Sequence, residues 1–589
     1  MKKSAMFLLF AFVALVCGTL CADTVYPRPE WRETKDPSAS EFAVKGGIIR
    51  IFAGPAPKSL NYYVDSSVYI SHLFDLMYSP LLGLDPTTLE FVPALADRWT
   101  ISDDGCVFTF HIDPRAKWSD GKPVSANDVV WTYDAIMNPT NQTGPFKVSM
   151  EKFSRPEAID PQTVRFRAKE NHWHNLSACG CFSIMPEHAY SKMDFNRLDL
   201  ENPVVSGPYT ISEVRDQRET RLSRRLDWWA KDLPRNRGLM NFDTIIFRYY
   251  SDRMNAFEAF KKGQIDVYPV YSARLWAVET MGEKFDRNWI VKQNVNNSYS
   301  VGFQGFAMNL RRAPFDDVRV RKAFAHLVDR QTMIRTMMYN AYFLQRSYCE
   351  DLYDSSHPCR NPVYEFNPEK AEALLREAGY ARNPQTGLME KNGIPLSFTF
   401  LTRDAGTDRF LAVIDRTLRK LGITMKIDRK DWATWMRDMD EFNFDVTWAA
   451  WGGVFFRDPE GMWSSKEARR QSSSNVTGFS DPRVDRLIEA QKSMNEIGDR
   501  NEIMRKIDAI LTEEVPYVLL WNSRSKRLLY WNTFGMPDTV LPKFGGEMAV
   551  LSHWWYDDES ASELKSAMKS GMALGAREEN VYFDRQEKE

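Results

Sequence analysis

The 589-residue sequence carries no excess of charge of either sign, with 77 Lys and Arg against 79 Asp and Glu. That balance excludes the basic surface that nucleic acid or an anionic membrane face demands, so no nucleic-acid partner is expected. Long apolar runs are missing apart from one near the N-terminus, which leaves no candidate membrane helix in the rest of the chain. Local signatures of catalysis and nucleotide binding are missing too. There is no Gly-x-Ser-x-Gly elbow, no His-Glu-x-x-His helix, no phosphate-cradling Gly-x-x-x-x-Gly-Lys and no Rossmann glycine fingerprint. These absences argue against an enzyme, and no catalytic residue or cofactor is assigned.

The one apolar run, Met6 to Val16, follows Lys2 and Lys3 and is too short to cross a bilayer; small and polar residues come next. A secretory signal peptide over residues 1–22, cleaved near Ala22, is expected. Leu20 before Cys21 and Val16 before Cys17 are not the small residues that lipidation requires, so the product should be soluble and periplasmic. Cysteine is sparse. Past the signal stand Cys106, Cys179, Cys181, Cys349 and Cys359, an odd set for an oxidising compartment. The polar stretch from Cys349 to Cys359 contains Pro358 and reads as a loop, which favours a disulfide between its two ends. Cys106 could pair with Cys179 or Cys181, a connectivity the sequence leaves open.

What is present is length, aromatic rings and alternating patterns. Single cores stop growing at roughly 250 to 300 residues, so this chain needs at least two lobes, and two lobes can make a cleft. The 13% aromatic content and 18 Trp suit large cores plus a stacking-lined pocket. Strand and helix signals alternate along the chain, which indicates an α/β fold. Phe108, Phe110 and Ile112 share one strand face with Cys106, while Val107, Thr109 and His111 take the other. After the Asp120-Gly121 turn, Ser125 and Asp128 form a capping box for a helix presenting Val129, Tyr133 and Ile136. Val164, Phe166 and Ala168 alternate in another strand, and residues 242 to 270 read strand, helix, Gly263 stop and strand. Near residue 305 the pattern permits a change of lobe, followed by a helix with Val320, Phe324, Leu327 and Val328 on one stripe. Asn367-Pro368 and Asp481-Pro482 each supply a cap and a first-turn proline for a further helix. Residues 516 to 531 look extended and could carry the chain back to the first lobe.

Two clusters could carry chemistry. His172, His174, Cys179 and Cys181 are ligand-type side chains at close spacing, able in principle to hold zinc or copper. In residues 447 to 463, Gly452-Gly453 allow a sharp turn and close ligand approach, while Trp448, Trp451, Phe455, Phe456 and Trp463 offer flat surfaces. The competing reading puts these rings in the core of the second lobe. Arg457 could meet an acidic ligand group or be held in a salt bridge.

Residues 93 to 136, PALADRWTISDDGCVFTFHIDPRAKWSDGKPVSANDVVWTYDAI, closely resemble the signature region of the family 5 bacterial extracellular solute-binding proteins, the peptide receptors of ABC importers. Residues 59 to 88, 204 to 214 (VVSGPYTISEV) and 308 to 334 (MNLRRAPFDDVRVRKAFAHLVDRQTMI) resemble it as well. The stretch WWAKDLPRNRGLMNFDTIIFRYYSDRMNAFEAFKKG is similar to the branch that takes up longer peptides and the peptide-nucleotide microcin C.

The resemblance implies a two-lobed, type II periplasmic-binding-protein-like α/β fold (cluster C) with a discontinuous first lobe. On that plan residues 40–305 form the first lobe, with an extra subdomain at about 86–205. Residues 306–530 form the second lobe, 531–565 return to the first, and 566–589 are a charged, flexible tail. It implies a receptor that captures peptides or peptide-like solutes in an interlobe cleft and delivers them to an inner-membrane ABC permease. A monomer is expected. The ligand-binding residues assigned are Asn61, Trp448, Trp451, Gly452, Gly453, Phe455, Phe456, Arg457 and Trp463. In the family the segment matching residues 172 to 181 is structural, so no metal ligand is assigned. Family receptors hold the ligand's amine with an aspartate in the loop after the strand matching Phe444 to Ala450. Here Val454, Phe455 and Phe456 stand at that place and Asp458 is the next acid, so no free ammonium should be required there. The alternatives are a receptor for a sugar, metal chelate or opine, and a secreted metal-dependent hydrolase built on the 172 to 181 cluster.

Overall fold

The computed structural model describes residues 24–27, 31, 34–65, 67–198, 200 and 202–583. The expected signal peptide lies outside them. Among the described residues no helix is long and apolar enough to cross a membrane.

Three sheets organise the molecule. The first lobe is built on eight strands in the order Asn580–Tyr582, Ile290–Asn296, Lys526–Trp531, Val267–Pro269, Ile48–Phe52, Thr244–Arg248, Glu219–Arg224 and Tyr209–Arg215. Ile48–Phe52 runs parallel to both of its neighbours, and Lys526–Trp531 runs antiparallel to both of its own. The subdomain is an antiparallel sheet of Thr24–Tyr26, Ala96–Ile101, Val107–Ile112, Thr163–Arg167 and Glu157–Asp160. The second lobe's sheet runs Thr424–Arg429, Ser397–Thr402, Val446–Trp451, Phe303–Met308 and Tyr517–Leu519. Its strands alternate between two cores: Phe306, Met308 and Val446 face one, while Phe303, Ala307 and Tyr517 face the other.

The local patterns form as their residue types dictate. Phe108, Phe110 and Ile112 are buried on one face of their strand. The helix Ala126–Met137 starts at the Ser125 and Asp128 capping box and buries Val129, Tyr133 and Ile136. Asp128 also accepts from the Glu187 amide (2.9 Å), so the box ties this helix to the next segment. Asn367 and Asp481 cap the helices Pro368–Glu377 and Pro482–Gln491.

The structure moves two of the expected boundaries. The return to the first lobe begins at Lys526, because Lys526–Trp531 fills the gap between Val267–Pro269 and Ile290–Asn296. The charged C-terminal stretch is no loose tail as far as residue 583. The helix Asp558–Ser570 runs into it, and Asn580–Tyr582 then adds an edge strand parallel to Ile290–Asn296, with Val581 buried.

The expected Cys349 to Cys359 bridge is absent; both residues are free thiols. Cys349 is turned into the second-lobe core beside Tyr348 and Leu352, and Cys359 is half-buried in the loop. Burial pushes both thiols above the ordinary cysteine range, so neither is poised as a thiolate. A non-reducing digest should return the two as separate thiol peptides, with Cys359 alkylated in the native protein ahead of Cys349. A linked pair would overturn this assignment.

Candidate functional site

The chain passes between the lobes near residues 297–302 and 522–525, and beside these crossings opens a cleft of about 940 Å³. The first lobe contributes Phe52, Tyr271, Glu547 and one face of the helix Val68–Met77, which carries Val68, Tyr69 and His72. The second lobe contributes Gln304, Trp451, Gly452 and Gly453, and the crossings add Tyr299 to Gly302 and Asn522 to Arg527.

Cations outnumber acids on this lining. Lys526 Nζ lies 3.8 Å above the Tyr299 ring and 3.8 Å from Glu547 Oε1. Burial lowers its ammonium pKa, with Glu547 opposing. Arg524 is exposed, with its guanidinium 4.7 Å from the Phe343 ring. Arg527 donates to the Ala341 carbonyl and packs over Tyr342. Burial lowers the pKa of His72, so this imidazole is neutral near pH 7. The cleft can therefore stack a flat group, accept apolar surface and meet a carboxylate.

Of the residues assigned from the sequence, Trp451, Gly452 and Gly453 line this cleft. The Trp451 indole donates to the Tyr517 hydroxyl (3.2 Å), which fixes the ring. The two glycines do different things. A Cβ on Gly453 would sit 2.0 Å from the Ser300 carbonyl oxygen, and one on Gly302 would sit 1.9 Å from the Trp451 carbonyl oxygen. A Cβ on Gly452 would meet nothing within 4 Å. Close approach at Gly453 thus serves chain packing, and only Gly452 leaves its backbone open.

The other assignments are corrected. Trp448 sits three positions before Trp451 on the same strand and so faces the opposite core, packed edge-on to Phe306, Phe410 and Trp521 with its indole donating to Gln304 (3.0 Å). Trp463 is buried among Phe303, Tyr348 and Tyr517. Asn61 is fully buried, donating to the Phe195 carbonyl and accepting from the Tyr63 amide. Arg457 is held by Asp351 and the Ser300 hydroxyl. Phe455 packs on Tyr299 and Phe544. Phe456 stacks on Phe91 (5.9 Å, 9° between planes) and leans on Trp173, joining the lobes away from the cleft.

The tempting metal cluster also comes apart. Cys179 is buried in the first-lobe core, and His172 instead meets Asp458 and Glu460 of the second lobe, their ligand atoms within 4.8 Å of one another. The His174 amide donates to His172 Nδ1 (3.1 Å), which places the neutral ring's proton on Nε2, 3.7 Å from Asp458 Oδ2. A ring in that tautomer offers a proton and no lone pair there. Glu460 is meanwhile paired with Lys466 (2.6 Å) and Lys492 (3.5 Å). The group reads as a polar contact between lobes, and Asp458 points there and not to the cleft.

Sequence reasoning missed Tyr69, His72, Tyr271, Lys526 and Glu547. One signal existed: Val68, His72 and Asp75 recur at helical spacing opposite Ile70, Leu73, Phe74 and Met77. Nothing local says that this face of the helix borders a cleft.

The profile described as Bacterial extracellular solute-binding proteins, family 5 Middle, matches residues 90–473, more than half of the chain. The protein YejA of Escherichia coli (strain K12) is 27% identical over 571 residues, covering 90% of this chain and 92% of its own. A probable peptide-binding protein YejA of Agrobacterium fabrum is 27% identical over 561 residues, covering 87% and 90%. Among solved structures, the oligopeptide-binding protein AppA from Bacillus subtilis, in complex with a nonapeptide, superposes with a TM-score of 0.68 at 20% identity, covering 88% of this chain and 100% of that one.

Proposed function

Since the chain belongs to the family 5 bacterial extracellular solute-binding proteins, and is accordingly a two-lobed binding protein and not an enzyme, we propose that it is a periplasmic receptor for peptides or peptide-like solutes. After export and removal of its signal it would present the loaded cleft to an inner-membrane ABC permease. The observation that carries this reading is the cleft itself. Its volume of about 940 Å³ suits a ligand of several residues, and its walls combine the rings of Tyr69, Tyr271, Tyr299 and Trp451 with the cations Arg524 and Lys526. Gly452 leaves backbone exposed to a ligand's main chain, a mode of recognition that tolerates many side chains. The names of the two proteins that bind or are thought to bind peptides point the same way.

The test is native mass spectrometry of the purified protein, followed by titration with a synthetic peptide pool. Peptide masses should co-purify, and saturating peptide should change tryptophan fluorescence and raise the melting temperature. At a hundredfold excess over Kd the expected stabilisation is about 2.7 kcal/mol. A sugar, metal chelate or opine in the spectrum, with no response to peptides, would sink the peptide reading.

A further inference from the structure

One acid beside the cleft lining, Asp75, has no hydrogen-bond or ion-pair partner among the described residues. The helix Val68–Met77 buries Ile70, Leu73, Phe74, Leu76 and Met77 and turns Val68, His72 and Asp75 the other way, at i, i+4 and i+7. Val68 and His72 line the cleft, and Asp75 follows His72 along the same face by about 4.5 Å of helix rise. Its side chain is open to water. Among the described residues it makes no hydrogen bond or ion pair, and its electrostatic neighbours are the phenols of Tyr62 and Tyr63. The adjacent imidazole of His72 is neutral, and Glu547, the acid that lines the cleft, faces Lys526.

An accessible carboxylate on the face of the helix that borders the cleft, with no cation beside it, is free to pair with a cation that a ligand brings. Resting on the solute-receptor reading of the cleft, we propose that Asp75 receives the cationic end of the bound solute, a peptide's free α-ammonium or another protonated amine. This assigns the amine to the first lobe, away from the Val454 to Phe456 loop that lacks an acid. The protein around it pushes the Asp75 carboxyl up to about 7. An ammonium beside it would return it to the charged form.

The experiment compares wild type with Asp75→Asn, using one pool of synthetic pentapeptides with free N-termini and the same pool acetylated. Binding is read by native mass spectrometry and calorimetry at pH 8, where Asp75 is ionised. Wild type should prefer the free pool by at least tenfold, and Asp75→Asn should bind both pools alike, at the wild-type affinity for the acetylated pool. The melting temperature of ligand-free Asp75→Asn should equal or exceed that of wild type, because an unpaired carboxylate has been replaced by a neutral group of the same shape. A folded variant that keeps the wild-type preference for free peptides overturns the assignment, as does wild type binding both pools equally. Wild type binding neither pool overturns the peptide reading on which it rests, and the assignment with it.

Discussion

Alanine at Gly453 should destabilise the protein by about 3 kcal/mol and abolish solute binding, while alanine at neighbouring Gly452 should change stability by no more than about 0.5 kcal/mol. The difference lies in what each new methyl would meet. At Gly453 the Cβ would sit 2.0 Å from the Ser300 carbonyl oxygen and 2.5 Å from its carbon, and backbone cannot swing aside as a side chain can. The segment opposite is also tied down, with the Ser300 hydroxyl donating to the Val454 carbonyl (2.9 Å) and accepting from Arg457 (2.9 Å). Relief therefore requires prising one crossing segment from the end of Val446–Trp451, which moves Trp451 and the cleft wall with it. Gly302 sits in the reciprocal position, its Cβ 1.9 Å from the Trp451 carbonyl oxygen, and should behave like Gly453. Urea denaturation of the three variants measures this. A Gly453→Ala protein as stable as wild type would show that the two segments are not packed backbone to backbone.

Truncating Trp173 to alanine should weaken solute binding by about a hundredfold, although Trp173 does not line the main cleft. This residue leaves the first-lobe subdomain and docks on the second lobe, where it is 9% exposed. Its indole donates to Gln491 Oε1 (2.6 Å), its amide donates to the Lys492 carbonyl (2.8 Å), and Arg500 covers its face at 4.4 Å. Phe456 approaches from the second lobe and stacks on Phe91 of the first. Losing a buried Trp at such a contact costs about 3 kcal/mol. That cost falls on the arrangement with the lobes together and spares each lobe's own core. A solute gripped between lobes is held only as well as they stay closed, so the cost appears in affinity at about 1.4 kcal/mol per decade. Small-angle scattering should show a larger radius of gyration for Trp173→Ala. Unchanged affinity and unchanged radius together would dismiss the contact as incidental.

Much of the architecture could be read from local chemistry. The strand at Val107–Ile112, the capping box of Ser125 and Asp128, and the proline-started helices at Asn367 and Asp481 depend on residues within a turn or a pleat of one another. Such short-range rules need no knowledge of the rest of the chain. Length alone required more than one lobe, and the missing motifs correctly pointed away from an enzyme. The site was legible only in part. The aromatic stretch 447 to 463 did contain cleft residues, but Trp448 and Trp451 were assigned alike when the period of a strand sends them to opposite faces. Trp463 and Asn61 carry no local mark of burial, and Cys349 turns inward because the second-lobe core needs its volume.

The sequence by itself determined the elements, their caps, the α/β class and the family, because each follows from neighbours along the chain or from extended blocks of residues. Tertiary structure alone decided which strand enters between Val267–Pro269 and Ile290–Asn296 in the eight-stranded sheet, which thiols stay apart and which helix face looks into the cleft. Those outcomes depend on contacts between segments hundreds of residues apart, such as Lys526–Trp531 entering between Val267–Pro269 and Ile290–Asn296. A binding cleft is made of such meetings, and so Tyr69 and His72 of one lobe came to face Trp451 and Gly452 of the other only when the lobes were placed together.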